Sequence, residues 1–168
     1  MNSAHLHLVV NHFPIIGLII GFIILLIGLI IRSSVSKRVG LFTLLGSIVA
    51  VFPSFKTGEG AEETAEHLPG VTESLIERHE EIAEQFMVFA WILIPLILVG
   101  LYADWKQKKF LPLLHYVIAI VSLVAVFFAK QVGTTGGEIR HTEIRNDQIS
   151  DQTINSENHE KEYEDIED

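Results

Sequence analysis

Four stretches of this chain run without a charge for long enough to cross a bilayer, and nothing else in the sequence limits the fold as much. Phe13 to Ile31 is 19 residues, Val39 to Phe55 is 17, Phe86 to Ala103 is 18 and Phe110 to Ala129 is 20. A helix needs roughly 20 apolar residues to cross about 30 Å of hydrocarbon. Backbone groups in lipid find no water, so each run must satisfy them internally, as a helix does. The runs are apolar on every side and lack the one-faced stripe of a helix buried in a water-soluble protein. The reading is an all-α membrane protein, four transmembrane helices in a bundle, with spans at about 9–31, 39–56, 80–103 and 110–131. The first run has no basic residue ahead of it, is too long for a signal-peptide core and precedes no A-x-A site, so it is expected to stay as a span.

Charge distribution orients the bundle and excludes some functions. The chain of 168 residues has a formal net charge of −9, and residues 138–168 alone hold 11 acids against 3 bases. The rest is close to neutral, with no basic stripe for a nucleic acid. Arg32–Arg38 and Asp104–Lys109 are short connections with three Lys/Arg each. The positive-inside rule puts both on the cytoplasmic side. Both termini and an acidic helical loop at 57–79 are then outside, with a four-helix membrane domain over 1–141. The polar, acidic segment 142–168 is expected to be disordered. With no Cys, disulfides, thiolate metal sites and haem attached through C-x-x-C-H are excluded. Nor is there a P-loop, a dinucleotide fingerprint or a nucleophile elbow, so the chain offers no sign of enzymatic activity on its own.

The two halves read as a repeat. Each opens a helix with a His (His12, His79), turns through a short basic loop, and ends a second helix with a Lys (Lys56, Lys130). A T-G motif follows, as Thr57-Gly58-Glu59-Gly60 and Thr135-Gly136-Gly137-Glu138. Helical spacing puts Thr43, Ser47, Ala50 and Ser54 on one stripe of the second span. His115, Ala119, Ser122, Ala129 and Gly133 share a stripe of the fourth, and His79, Ala83, Phe86 and Ala90 one of the third. Gly17, Gly21 and Gly28 lie roughly opposite His12 on the first span. If His12 faces the bundle centre, those glycines face outward, towards a second copy and a homodimer.

Seven of the eight His fall on the predicted outer side. Ionisable groups at membrane depth are costly and mark functional candidates. His12 and His79, each in or beside the first turn of a span, are placed to meet if the first and third spans are diagonal. That would suit bis-imidazole ligation of a non-covalent haem b, with the small residues leaving room for the macrocycle and Lys56 and Lys130 pairing with its propionates. The same residues have plainer roles: a first-turn His caps or sits at the interface, and a terminal Lys snorkels. A cofactor-free scaffold or assembly subunit is therefore one alternative. Another is an outer-face metal site of imidazoles and carboxylates drawn from His12, His79, His67, His141 and Glu138, with Glu63/His67 and His7/Asn11 at i, i+4 spacing. The runs Phe13 to Ile31, Val39 to Phe55 and Phe86 to Ala103 contain no acid, which argues against a carboxylate proton relay. His115, partnerless on its own side, reads as a packing residue.

The run from His7 to Ile15 (H-L-V-V-N-H-F-P-I) and the exit Thr135-Gly136-Gly137-Glu138 resemble a family of bacterial four-helix membrane proteins of unknown function. Its pattern is an H-F-P-I/L opening, a His near the start of the third span and a G-G motif after the fourth. The resemblance covers roughly residues 5–141. It implies a bacterial inner membrane and attention to His12, His79 and Gly136-Gly137. Relatives joined to cytochrome c-type or Rieske domains imply redox protein partners. The acidic loop and tail go beyond that pattern.

Overall fold

The computed structural model of the protein describes residues 3–145, and every regular element among them is helical. The order is α1 (Ser3–Val10), α2 (His12–Ile30), α3 (Ser34–Val49), α4 (Val51–Ala65), α5 (Glu73–Trp105) and α6 (Leu111–Arg140), closed by a 3-10 turn at Thr142–Ile144. That turn lies within the segment expected to be disordered; the rest of the tail, 146–168, is outside the described residues.

Two of the helix boundaries follow from proline. Pro14 and Pro53 each lack the N–H that would bond the carbonyl four residues back, and α1 and α3 end at those residues, Val10 and Val49. The break is one residue wide in each case, so α1–α2 and α3–α4 act as two long rods, Ser3–Ile30 and Ser34–Ala65. With α5 and α6, four helices of 28, 32, 33 and 30 residues are long and apolar enough to span a membrane. At 1.5 Å per residue they are about 42–50 Å long, so each projects beyond a hydrocarbon layer of about 30 Å. Of the most apolar window in each helix, only 28–39% is buried inside the protein. Ile23, Trp91, Ile120 and Phe127 point outward. The outer surface is the apolar one, as lipid requires.

The acidic connection is shorter than its sequence implies. Span two continues without a loop through Ala65, and a turn at 66–72, with Gly70 at φ 74°, leads into α5. Thr72 occupies the N-cap, and its hydroxyl bonds Ser74 Oγ rather than a backbone N–H. At the other end, Arg32 and Gln107 take the left-handed conformation. Ser33 N donates to Gly28 O at 3.0 Å and Lys108 N to Ala103 O at 2.9 Å, which is how a helix terminated by a left-handed residue satisfies its last carbonyls.

The bundle is made of two hairpins, α2 with α3 and α5 with α6. It closes through α2 on α6 and α3 on α5, so α2 and α5 are diagonal. The repeat expected from the motifs is present throughout the core; the T-G motifs carry the register of the second helices, while that of the first helices differs from the one the His12/His79 pair implies. The buried positions Pro14, Leu18, Gly21, Leu25 and Gly28 of α2 match Phe86, Ala90, Leu93, Ile97 and Gly100 of α5 at a constant spacing of 72 residues. Gly40, Leu41, Leu44, Ser47 and Val51 match Ile118, Ala119, Ser122, Ala125 and Ala129 at a spacing of 78. Equivalent positions face inward in both halves, so the core has an internal pseudo-two-fold.

The glycine stripe is reversed from its expected direction. A Cβ on Gly17 would meet the Ser47 side chain, one on Gly21 would stand 2.8 Å from Leu44 N, and one on Gly28 2.7 Å from Lys37 N. Gly40 returns the contact, at 2.7 Å from Leu25 N. The stripe is thus used within the chain, where it lets α2 and α3 approach backbone to backbone, and it offers no outward face to a second copy.

At the end with the basic connections, Arg38 Nε donates to Asp104 Oδ2 at 2.7 Å and ties α3 to α5, one half to the other. Asp104 is buried, while half of the Arg38 side chain is exposed. Removing either partner should therefore not be equivalent. Arg38→Ala strands a buried carboxylate and should cost about 1–3 kcal/mol, whereas Asp104→Ala frees an arginine that reaches water and should cost less. Thermal unfolding in detergent checks the order.

Candidate functional site

At the opposite end of the bundle the pseudo-two-fold brings two imidazoles into equivalent surroundings. They belong to His7 and His79. His7 Nδ1 lies 3.0 Å from Ser54 O and 3.2 Å from Thr57 Oγ1. His79 Nδ1 lies 3.0 Å from Thr135 Oγ1, and its ring also bonds the carbonyl of Val132. Each ring rests against the glycine after its threonine. A Cβ on Gly58 would come within 3.5 Å of His7 Cε1, and one on Gly136 within 3.0 Å of His79 Cε1. His7 and His79 are 72 residues apart, and the pairs Ser54/Val132, Thr57/Thr135 and Gly58/Gly136 are each 78 apart, the same spacings as the core. The two rings are close enough for a charge on His7 to act on His79.

The hydrogen-bond pattern sets the tautomer. Thr57 spends its hydroxyl proton on its own helix, donating to Pro53 O and Ser54 O at 2.9 Å. Thr135 does the same to Gln131 O at 3.0 Å and Val132 O at 3.3 Å. Each threonine oxygen is left to accept and the Ser54 carbonyl can only accept, so this pattern assigns the proton to Nδ1 in both rings. The Nε2 lone pair then has no hydrogen-bond partner on either ring among the described residues. One turn deeper than His7, Asn11 Oδ1 is buried without a hydrogen-bond partner among the described residues.

The other site candidates are placed apart. His12 is exposed on α2, away from the stripe that carries His7, and makes no hydrogen bond or ion pair among the described residues. His12 and His79 are therefore not the facing pair. His67 is exposed with Nδ1 on Glu63 O at 2.8 Å. His141 bonds Glu143 at 2.9 Å, and that contact, after a backbone N–H, holds the Glu143 carboxyl below its ordinary range. Glu138 is buried in an ion pair with Arg78 at 2.7 Å. No three His, Asp or Glu residues converge on a common point among the described residues, so the metal set of His12, His79, His67, His141 and Glu138 does not assemble. Lys56 and Lys130 are both exposed. In the register of the core they are not equivalents, since Lys56 corresponds to Thr134 and Lys130 to Phe52.

Sequence reasoning ranked His12 over His7 because His12 opens the apolar run and sits in the H-F-P segment. The stripe held the signal. Counting back from Gly21 in steps of three and four passes Leu18, Pro14 and Asn11 to His7, as counting back from Leu93 passes Ala90, Phe86 and Ala83 to His79. Compared with family models, curated proteins and solved structures, the chain finds no match.

Proposed function

We propose that the chain is a small membrane subunit that holds haem b between His7 and His79 at one end of the bundle and serves electron transfer. The observation that carries the reading is the matched pair of imidazoles, one from each half, with Nδ1–H anchored and Nε2 without a hydrogen-bond partner among the described residues. A metal-ligating His almost always donates its other N–H to a carbonyl or a similar acceptor, which fixes the ring. Both rings have that partner already in place. Only two protein ligands are offered, which is what an iron already bound by four porphyrin nitrogens requires of a protein, and fewer than a bare metal ion takes.

When bound, haem supplies one-electron chemistry at a potential set by its axial ligands and their hydrogen bonds. The protein's share is to orient the rings. Thr57 and Thr135 hold them through Nδ1, and Gly58 and Gly136 keep side chains off their edges. Lys56, beside Thr57, is an exposed cation that would be available to a propionate. Redox proteins in or on the same membrane would be the partners, and the motif resemblance to bacterial membrane proteins agrees with that setting.

Absorption of detergent-purified protein, with and without dithionite, together with metal analysis, tests the reading. A Soret band that shifts on reduction is expected, and His12→Ala should leave it unchanged. A colourless protein after expression with added haem precursor would leave the cofactor-free scaffold. Thr135→Val, which keeps the shape but removes the acceptor for Nδ1–H, should weaken haem retention by about 10–100-fold. Haem transfer to apomyoglobin measures that loss.

A further inference from the structure

The two ends of the bundle carry opposite charge. Among the described residues, the end that holds His7 and His79 has eleven acids against five Lys/Arg. The other end has six cations, Arg32, Lys37, Arg38, Lys106, Lys108 and Lys109, against one acid, Asp104. That acid is buried and held by Arg38 at 2.7 Å, so its charge is spent on one cation and five remain uncompensated. The same contact gathers the cations. It seats the start of α3 against the end of α5, where Lys106 and Lys108 follow Asp104 by two and four residues. The two basic turns therefore form one surface, and all six cations except the half-buried Lys37 are exposed on it.

Aromatic side chains mark the depth of that surface. Tyr102, Trp105 and Phe110 are exposed beside the turns, and such rings concentrate where headgroups meet hydrocarbon. Lys106 Nζ stands 4.0 Å from the centre of the Trp105 ring, which puts an ammonium at the same level. The apolar surface begins within a turn of these cations, at the exposed Ile30, Ile31 and Leu113. Whatever covers both must carry negative charge and hydrocarbon in one molecule. A free anion supplies only the first.

We propose that this end of the bundle is a docking surface for anionic phospholipids, which the acidic end repels. Clusters of four to eight Lys/Arg beside a span attract anionic headgroups over a short range, each cation adding its own increment. The protein then gathers anionic lipid in one leaflet and not in the other. This surface is at the end away from His7 and His79 and does not depend on haem there.

The two tryptophans of the chain report the two ends separately. Trp91→Phe leaves Trp105 as the reporter of the basic end. Trp105→Phe leaves Trp91, exposed on the same helix and about 21 Å nearer the acidic end. Each full-length variant is reconstituted in phosphatidylcholine vesicles containing brominated phosphatidylglycerol, whose bromines quench a tryptophan they touch. Quenching relative to that by brominated phosphatidylcholine gives the preference at each ring. A preference of about fivefold for phosphatidylglycerol is expected at Trp105, the worth of one cation beside a headgroup, and none at Trp91. Raising the ionic strength to about 1 M, where the screening length is about 3 Å, should reduce it. Arg32→Gln, Lys108→Gln and Lys109→Gln together should cut it at least by half, with Lys106 left in place because it lies against the reporter. Lys56→Gln with Lys130→Gln should leave it unchanged. Equal quenching by the two lipids at Trp105, an equal preference at Trp91, or a preference untouched by the triple substitution overturns the proposal.

Discussion

His7→Ala and His79→Ala should each abolish the Soret band of the purified protein, while His12→Ala leaves it intact. The contrast is sharp because His12 belongs to the H-F-P segment and His7 does not, so motif and structure predict opposite outcomes. His7 and His79 would be the only two side chains holding the haem, so losing either would weaken its retention greatly. Each single variant should therefore retain less than about a tenth of the haem, by the measure that even an outer-shell partner is worth 10–100-fold. Added imidazole should restore the band in part, since it replaces the missing ring without altering the fold. If His12→Ala alone bleaches the protein, the site has been placed on the wrong residue. If all three variants remain red, the histidines are not ligands.

Gly21→Val should be the most damaging single substitution in the membrane region. Even the first added carbon would sit 2.8 Å from Leu44 N and 2.9 Å from Leu44 Cγ, and backbone cannot rotate away as a side chain can. In lipid no hydrophobic force holds the helices together, so close packing must. Forcing α2 off α3 removes that packing along the whole hairpin. Overpacking costs about 1–3 kcal/mol for an added methylene, and a branched side chain against backbone lies at or above the top of that range. Gly46 supplies the control on the facing helix, since nothing lies within 4 Å of its Cβ position. Gly46→Ala should stabilise α3 by about 0.5–1 kcal/mol, the ordinary gain for removing a glycine from a helix interior. Unfolding in mixed micelles, with helicity as the signal, reads both. Equal effects at positions 21 and 46 would contradict the close contact of α2 and α3.

How far the site could be read from the sequence turns on one relation. His12 and the Gly17-Gly21-Gly28 stripe lie on opposite faces of the first span, and helical geometry alone gives that correctly. Which face turns inward is a separate matter. An imidazole at membrane depth argues for His12 inside, and GxxxG is known from contacts between chains as well as within them. The structure reverses both assignments together, because α2 and α3 are joined by a turn of three residues and must pack on each other. Small residues allow that approach and a ring at position 12 would not. His79 follows from the same kind of argument, since its stripe of Ala83, Phe86 and Ala90 has no competing glycine face.

Hydropathy determined the number of helices, their membrane-spanning length and the all-α class, because a backbone in hydrocarbon has so few ways to bond itself. The existence of two related halves was visible as well, through T-G motifs following two of the helices. Only the packed bundle decided the register of the first helices in that repeat, the inward stripe of α2, and the choice of His7 over His12. Those are properties of helix rotation, and a span that is apolar all round has no polar face to set which side turns inward. Rotation is settled by which small residues let two backbones meet, a contact that exists only once both helices are in place.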